Sequence, residues 1–362
     1  MIMSTSGEKM QETGTSESSF TSAMTLDQMG LPSVPERYIL PPSQRPNPTL
    51  SLYPSIFLPV IDLSSLNNPS LRSETIDKVR IACKELGFFQ VINHGIPASV
   101  MNDASDSAAE FFNLSSEEKM SLASSNVHEP VRYGTSLNHV KDKVHFWRDF
   151  IKHYSHPVSN WIDQWPSNPR SYKEKMGNYA KAAYKLQKHL MEVVFESLGL
   201  NANYLHDEIE KGSQVMAVNC YPACPEPHLA LGMPPHSDYG SLTILNQSST
   251  ELQIMDHGKN SHSVPVIEGA LVVQLGDQLE IMSNGQYKSV IHRATVNSEK
   301  KRLSIASLHS LALEKKVGPA PELVDSQHPI SYNEGSFSGF LDYISGNDIM
   351  EGRYIDTLKK GP

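Results

Sequence analysis

The stretch LVVQLGDQLEIMSNGQYKSVIHRA, residues 271–294, decides the fold. Its two apolar runs, 271–275 and 279–282, predict short β-strands, and Asn284-Gly285 is a strong signal for a hairpin turn. The strand that returns from this turn carries His292. Similar short runs fill the chain from about residue 213 to 312, for example LTIL at 242–245. The predicted fold is mainly β with flanking helices, and its core is a double-stranded β-helix, or jelly roll, around an interior site.

Upstream of this stretch lies the triplet His236-Ser237-Asp238. Side chains two residues apart on a strand project to the same face, so His236 and Asp238 can reach one metal ion. Several strands crossing a barrel can bring His292 back to the same ion. Two imidazoles and one carboxylate leave three coordination positions open, which suits Fe(II) with O2 and a co-substrate. The alternative is a chance grouping among 15 histidines.

Downstream, the segment that begins Arg302-Leu303-Ser304 predicts a strand with Arg302, Ser304 and Leu308 on one face. A buried guanidinium needs a partner, and with a neighbouring hydroxyl it matches a carboxylate. The alternative is an arginine at a strand start whose head reaches solvent. On an earlier strand, 215–221, Asn219 and Tyr221 share a face and can serve the same ligand.

Four further segments give the chain a family resemblance over roughly residues 56–345. They are LPVIDL at 58–63, GFFQVINHG at 87–95, NCYP with CP at 219–225, and SNGQYKSVIHRA at 283–294. In this order they resemble the plant soluble 2-oxoglutarate/Fe(II)-dependent dioxygenases, which include flavanone hydroxylases, flavonol synthases and feruloyl-CoA hydroxylases.

The resemblance implies a role for each residue above. The cofactors would be Fe(II), 2-oxoglutarate as co-substrate and O2, with ascorbate as reductant, and no catalytic side chain is expected beyond the metal site. The implied iron ligands are His236, Asp238 and His292. The groups implied for 2-oxoglutarate are Arg302, Ser304 and Tyr221 at its distal carboxylate, and Asn219 near its iron-chelating end.

Two residues depart from the family pattern. Cys220 stands where the family usually has Tyr, but strand alternation points its side chain away from the site. Leu308 stands where many flavonoid-acting members carry Phe, which weakens a flavonoid assignment.

The implied function is oxidation, first of all hydroxylation, of a small, largely apolar, ring-containing plant metabolite, with release of succinate and CO2. Desaturation and O-demethylation use the same iron centre and stay open as alternatives. So does a related iron oxidase that uses another reductant in place of 2-oxoglutarate. A catalytically silent binding protein on the same fold is the third alternative, although all three iron ligands are present.

The substrate wall is predicted from aromatic and apolar residues in segments that face the substrate in relatives. For each residue alone, a place in the ordinary core is the alternative. Arg132, in the same segment, could engage an acidic substrate group or form a surface salt bridge. The residues predicted for the wall are Tyr133, Phe146, Phe150, Leu308 and Phe337.

The 362 residues carry a net charge of −9, which disfavours a nucleic-acid partner. Neither a membrane-spanning run nor an apolar, basic leader is found, so a cytosolic monomer acting on a small molecule is expected. The predicted organisation is a flexible tail and lead-in at 1–55, an N-terminal α/β region at 56–209, the double-stranded β-helix at 210–315 and a C-terminal helical lid at 316–362. Helices are predicted at about 98–112 and 172–198.

Overall fold

The structure is a computed structural model that describes residues 20–46, 58–256 and 260–361. The helices in these ranges are α1 (Ala23–Gln28), α2 (Pro69–Glu85), α3 (Ala98–Phe112), α4 (Ser116–Met120), α5 (Val158–Trp161), α6 (Tyr172–Ser197), α7 (His206–Glu210), α8 (Asp277–Met282), α9 (Phe337–Gly346) and α10 (Tyr354–Leu358). The strands are β1 (Val60–Asp62), β2 (Phe88–Ile92), β3 (Val131–Thr135), β4 (Asp149–Tyr154), β5 (Ser213–Tyr221), β6 (Met233–His236), β7 (Leu242–Gln247), β8 (Leu252–Met255), β9 (Ser261–Ser263), β10 (Leu271–Leu275), β11 (Ile291–Ala294) and β12 (Arg302–Ser310).

Two sheets form the core. The major sheet has eight strands in the order β1-β2-β10-β7-β12-β5-β4-β3, and the minor sheet has four in the order β6-β11-β8-β9. Every pairing is antiparallel except that of β1 with β2. Short antiparallel strands in two facing sheets are the architecture of a jelly roll. The predicted fold class is confirmed.

Three helices, α2, α3 and α6, support the core from outside the barrel. The apolar stripe of α6 recurs every three or four residues, and its members Met176, Tyr179 and Ala183 are fully buried. They join one continuous core with Val79 of α2 and Phe111 of α3. The predicted helices at 98–112 and 172–198 are confirmed, the second ending one residue earlier.

The apolar run 279–282 is not a strand. It belongs to α8, whose residues are all buried. An apolar run of four residues does not distinguish a buried strand from a buried helical turn. Asn284 and Gly285 do form a turn, with φ of 51° and 79°, but this turn joins α8 to β11 instead of joining two strands. It still directs the chain into the strand that carries His292.

Part of the predicted flexible tail is ordered. Residues 20–46 form α1 and two short 3-10 turns, with Ala23, Met24 and Leu40 buried. The cause lies in another part of the chain, because the first amides of α1 bind the buried carboxylate of Asp149. Composition alone does not reveal such a partner. Residues 1–19 and 47–57, the rest of the predicted tail and the first residues of the next region, lie outside the described residues.

The strands of the N-terminal region belong to the same sheet as the strands of the barrel. β2 pairs with β10, and β4 pairs with β5 along six residue pairs. The predicted boundary after residue 209 therefore divides strands that belong to one continuous sheet. No described helix combines the length and the apolar composition needed to cross a bilayer.

Candidate active site

Three potential metal ligands meet where the two sheets face each other. His236 ends β6, His292 lies directly opposite it on β11, and Asp238 follows two residues after His236. The Asp238 Oδ1 atom is 3.8 Å from the Nε2 atom of each imidazole. One ligand atom from each residue lies within 4.8 Å of the others. The H-x-D spacing and the antiparallel register thus bring together the predicted ligands.

Hydrogen bonds fix which nitrogen of each imidazole is available. The Nδ1 atom of His236 is 2.8 Å from the carbonyl of Pro234, and that of His292 is 3.3 Å from the carbonyl of Val290. A carbonyl only accepts, so each Nδ1 carries the proton and each Nε2 keeps its lone pair. Burial, with a smaller contribution from His292, lowers the pKa of His236 to about 3. Each imidazole is therefore oriented to offer its Nε2 atom to a metal ion.

Asp238 is held by its side chain and by its backbone. Thr243 donates its hydroxyl to Oδ2 at 2.5 Å, and Oδ1 stays on the histidine side. The amide of Asp277, the first residue of α8, donates to the Asp238 carbonyl at 2.8 Å. Gly276 permits this contact, since a Cβ there would lie 2.9 Å from that carbonyl oxygen. Two neutral imidazoles and one oriented carboxylate are a donor set that fits Fe(II) with open positions.

Arg302, at the start of β12, is the second component of the site. It is 2 % exposed, its Nη2 atom has only a long contact of 3.4 Å to Gln247, and its Nε atom lies 3.9 Å from a Glu251 carboxylate oxygen. The Nε and Nη1 atoms have no hydrogen-bond partner. The guanidinium carbon lies 4.8 Å from the centre of the Tyr221 ring. Buried donors without acceptors are costly, which indicates a receptor for an anionic ligand.

The strand register places the remaining predicted co-substrate residues beside Arg302. In the pairing of β12 with β5, Arg302 is opposite Tyr221 and Ser304 is opposite Asn219. The Asn219 amide nitrogen lies 3.5 Å from the Ser304 hydroxyl. All four side chains line one cavity of about 240 Å³ together with His236, Asp238 and His292. Cys220 lies on the opposite face and is fully buried, as strand alternation predicts.

Phe150, Leu308 and Phe337, from the predicted substrate wall, line this cavity. Leu308 is on the same face of β12 as Arg302, and Phe337 is the first residue of α9. Phe340 and Tyr239 add to the wall, and their rings stack with centroids 4.8 Å apart. This side of the cavity is therefore apolar and largely aromatic.

Tyr133 does not belong to the wall. Strand alternation directs it out of the barrel, where its hydroxyl donates to Asp149 at 3.0 Å and its ring contacts Phe111. Its neighbour Arg132 faces the cavity instead. Because side chains alternate along a strand, Arg132 and Tyr133 of β3 must face opposite sides, so only one of them could belong to the wall.

Phe146 does not line the cavity either. It is fully buried in a small cluster with Leu40 and Leu231. Leu40 lies in the N-terminal segment that was predicted to be a flexible tail, so the sequence offered no packing partner for Phe146.

Two cationic residues of the cavity are among those that were not predicted as site residues from the sequence. Arg148 immediately precedes β4, and Lys152 lies on β4 two residues after Phe150. The signal that could have identified Lys152 is its alternation with Phe150, whereas nothing in the sequence distinguishes Arg148 from a surface arginine.

Comparison with known families supports a non-haem oxygenase. Residues 58–168 match the family described as non-haem dioxygenase in morphine synthesis N-terminal, and residues 212–310 match the 2OG-Fe(II) oxygenase superfamily. The chain is 43 % identical to "2-oxoglutarate-dependent dioxygenase 21, chloroplastic" of Oryza sativa subsp. japonica, with 88 % of this chain and 93 % of the relative covered. It is 41 % identical to "Flavanone 3-dioxygenase 3" of the same species, with 88 % and 98 % covered.

A solved structure agrees in fold. The crystal structure of JOX2 in complex with 2OG, Fe and JA superposes with a TM-score of 0.83 at 29 % identity, covering 95 % of this chain and 98 % of that one. At this coverage the likeness takes in both sheets and the flanking helices.

The expected cytosolic location is contradicted by one of these relatives. The rice protein at 43 % identity is described as chloroplastic. The expectation rested on the lack of an apolar, basic leader. An apolar core is typical of secretory leaders, whereas transit peptides are amphipathic and Ser-rich. The lack of an apolar core therefore does not exclude a plastid location.

Proposed function

The chain belongs to the plant 2-oxoglutarate/Fe(II)-dependent dioxygenases, and on that premise we propose a role for each residue of the cavity. As a member of this family it is an enzyme that uses Fe(II), O2 and 2-oxoglutarate to oxidise a small molecule. His236, Asp238 and His292 hold the iron, and Arg302 with Ser304 and Tyr221 binds the distal carboxylate of 2-oxoglutarate. The observation that carries this assignment is the grouping, around one cavity, of three metal ligands and a buried Arg302 whose Nε and Nη1 atoms lack hydrogen-bond partners.

The residues of the chain orient the reactants. When bound, the iron would supply the oxidising chemistry: with O2, 2-oxoglutarate would be converted to succinate and CO2, one oxygen atom entering succinate and the other remaining for the substrate. Arg302 anchors one end of the co-substrate, so its keto acid end is presented to the metal in one orientation. Asn219 bridges Ser304 and Arg148, which keeps the intervening surface rigid. The aromatic side of the cavity, with Tyr239 and Phe340, excludes water from the reacting atoms.

The proposed reaction is hydroxylation of a small, largely apolar molecule that contains a ring. The stacked aromatic side chains and Leu308 support an apolar, ring-shaped ligand. Among the relatives, two rice proteins are named flavanone 3-dioxygenases. Ascorbate is proposed as the reductant.

We further propose that one chain forms the complete enzyme and acts without nucleic acid or membrane. One chain supplies the three metal ligands, Arg302 and the apolar wall, so the proposed site needs no residue from a second copy. The net charge of −9 opposes binding to phosphate backbones.

The test compares metal binding with 2-oxoglutarate turnover. Asp238→Ala is expected to reduce Co(II) or Fe(II) binding by at least about tenfold and to abolish succinate release, because it removes the only anionic ligand. Arg302→Gln is expected to keep the metal and to weaken 2-oxoglutarate binding by about a hundredfold, because the charge-assisted pair is lost. Calorimetric titration and succinate assays provide the measurements.

Asp256→Ala is the matched control. Asp256 also pairs with an imidazole, that of His262 at 2.9 Å, but it lies outside the candidate metal group. It should bind metal and release succinate like the wild type. Stoichiometric metal binding by Asp238→Ala, or unchanged 2-oxoglutarate affinity in Arg302→Gln, would refute the assignment.

A further inference from the structure

Three cations line the cavity outside the proposed iron and 2-oxoglutarate site. Arg132 lies on β3, Arg148 precedes β4, and Lys152 lies on β4 directly opposite Arg132. We call Arg132, Arg148 and Lys152 the cationic cluster. A concentration of three positive groups in one wall of a cavity is unusual in a chain with a net charge of −9.

The hydrogen bonds of the cluster are incomplete. Arg132 is 2 % exposed and donates from Nη2 to the Leu137 carbonyl, whereas its Nε and Nη1 atoms have no partner. Arg148 donates to the side-chain oxygen of Asn219 and to a carbonyl, and its Nε atom has no partner. Lys152 donates to the Val127 carbonyl. The acceptor in each of these hydrogen bonds is therefore a neutral oxygen.

No carboxylate forms a direct salt bridge with the cluster, although Asp142 acts to raise the pKa of Arg132 and Arg148, and Glu129 acts to raise that of Lys152. Among the described residues no carboxylate oxygen lies within 4.0 Å of any of the three cationic groups. The buried Asp142 accepts from the Ser136 hydroxyl and from two backbone amides. The buried Asp149 accepts from α1 and from Tyr133. Both carboxylates thus face other donors.

The charges of the cluster repel one another more strongly than these carboxylates offset. Burial, then the repulsion from Arg148, lowers the pKa of Arg132 to about 10. Burial, then the repulsion from Arg132, lowers the pKa of Lys152 to about 7. Buried cations without counterions are strongly destabilising, and a bound anion would relieve this cost.

The Phe150 ring fixes the shape of the cluster. The guanidinium carbons of Arg132 and Arg148 lie 4.9 and 4.7 Å from its centroid. Gly134, opposite Phe150 on β3, makes room for the ring, since a Cβ there would lie 3.0 Å from the ring tip. The two arginines are thereby held beside an apolar ring that itself lines the cavity. Such a surface suits an anionic group attached to an apolar body.

The cluster differs from the receptor proposed for 2-oxoglutarate. Arg302 lies on β12, and the Asn219 side chain stands between Ser304 of that strand and Arg148. Arg302 has its own unpartnered donors for one carboxylate. The cavity therefore offers donors for two separate anionic groups.

We propose that the organic substrate is a carboxylic acid whose carboxylate binds Arg132, Arg148 and Lys152. This proposal rests on the function proposed above and adds the chemical class of the substrate. The apolar body of the acid extends from Phe150 towards Leu308, Phe337 and Phe340, so that a carbon remote from the carboxylate faces the iron.

The test uses a panel of aromatic and alicyclic monocarboxylates, each compared with its own primary amide. Binding to the anaerobic enzyme saturated with Fe(II) and 2-oxoglutarate is measured by calorimetry. At least one acid should bind about tenfold or more tightly than its amide, as a charge-assisted contact predicts.

Arg132→Met and Lys152→Met should each reduce this preference about tenfold, with the amide and 2-oxoglutarate affinities unchanged within about twofold. Arg132→Lys, which keeps the charge, should retain part of the preference.

Arg170→Gln is the control, since Arg170 is a solvent-accessible arginine outside the cavity. Thermal melting confirms that each variant is folded, and Lys152→Met, at a partly exposed position, is the safer of the two. The proposal is overturned if no acid in the panel binds better than its amide, or if the cluster variants weaken acid and amide alike. It is also overturned if they weaken 2-oxoglutarate and leave the acids unaffected. A failure of the proposed function would be separate, because Arg302→Gln would then leave 2-oxoglutarate binding intact.

Discussion

At the scale of single residues, Gly87 allows the segment before β11, the strand that carries His292, to approach the start of β2. Gly87 lies two residues after the end of α2 with φ of +63°, and a Cβ at this position would lie 2.2 Å from the Lys288 carbonyl oxygen. The next residue begins β2, and the segment containing Lys288 leads into β11 with His292. The close backbone approach is possible only because residue 87 has no side chain.

We expect Gly87→Ala to lower the free energy of unfolding by about 3 kcal/mol or more, combining the left-handed strain with the displaced carbonyl. Chemical denaturation measures the change. Gly199→Ala is the matched control, because Gly199 has φ of +79° and a Cβ added there would meet no atom within 4 Å. It should cost only about 1 kcal/mol. Equal losses in the two variants would contradict the close approach.

The sequence was sufficient for residues whose roles follow from alternation along one strand. Arg302, Ser304 and Leu308 were predicted on one face, and the structure places all three on the cavity. It was insufficient where a role depends on a partner far along the chain. Tyr133 looked like a wall residue because its true partner, the buried carboxylate of Asp149, is not evident from the sequence around β3.

At the scale of elements, α1 depends on a strand that lies far from it in the sequence. The amides of Ala23 and Met24 donate to the two oxygens of Asp149 at 2.9 and 3.2 Å, and the Tyr133 hydroxyl also donates to this carboxylate. Asp149 is fully buried, and whereas Oδ2 also accepts from Tyr133, the backbone donor to Oδ1 is supplied by α1. A six-residue helix is too short to be stable in isolation, and docking supplies its order.

Asp149→Asn is expected to lower the free energy of unfolding by about 2 kcal/mol, because the amide group faces one of the two backbone donors. Hydrogen exchange should accelerate at Ala23 and Met24 ahead of the rest of the molecule. Asp27→Asn removes a carboxylate from the same helix without touching these bonds and should leave that exchange unchanged. Protection of both amides in Asp149→Asn would show that α1 is ordered by other contacts.

Element prediction from the sequence succeeded for long periodic helices and failed for short buried segments. The stripe of α6 identified its helix, whereas the run 279–282 was assigned to a strand and is part of α8. All six residues of α8 are buried, both the apolar Leu279, Ile281 and Met282 and the polar residues between and before them, so the sequence shows no helical period there. α1 was missed because a helix of six residues in a Ser- and Thr-rich segment shows too little apolar periodicity to be predicted.

At the scale of the whole molecule, the major sheet joins two regions of the chain that the sequence suggested were separate. β2 supplies the neighbour of β10, and β4 supplies the neighbour of β5. Without residues 58–209, two interior strands of the barrel would become open edges and the outer helices would be absent. Open edges and exposed apolar faces favour aggregation.

A fragment that contains only residues 210–315 is therefore expected not to fold alone. Circular dichroism and limited proteolysis should show no protected core, and the fragment should bind neither Co(II) nor 2-oxoglutarate. The full chain, denatured and refolded in the same way, is the control. A fragment that melts cooperatively and binds the metal would show that the barrel is independent of the preceding strands.

The order of strands in the major sheet also bears on how such enzymes diverge. β12, with Arg302 and Ser304, lies inside the sheet between β7 and β5, whereas β4 and β3, with Lys152 and Arg132, are its last two strands. β3, with Arg132, adjoins a single strand of this sheet, so substitutions there disturb few neighbours, whereas β4 and β12 have a strand on each side. Residues proposed to select the substrate on this edge strand can thus change with little disturbance, whereas those proposed to bind the shared co-substrate lie where a substitution disturbs more of the sheet. New specificities can arise in such a lineage without a loss of the ancestral chemistry.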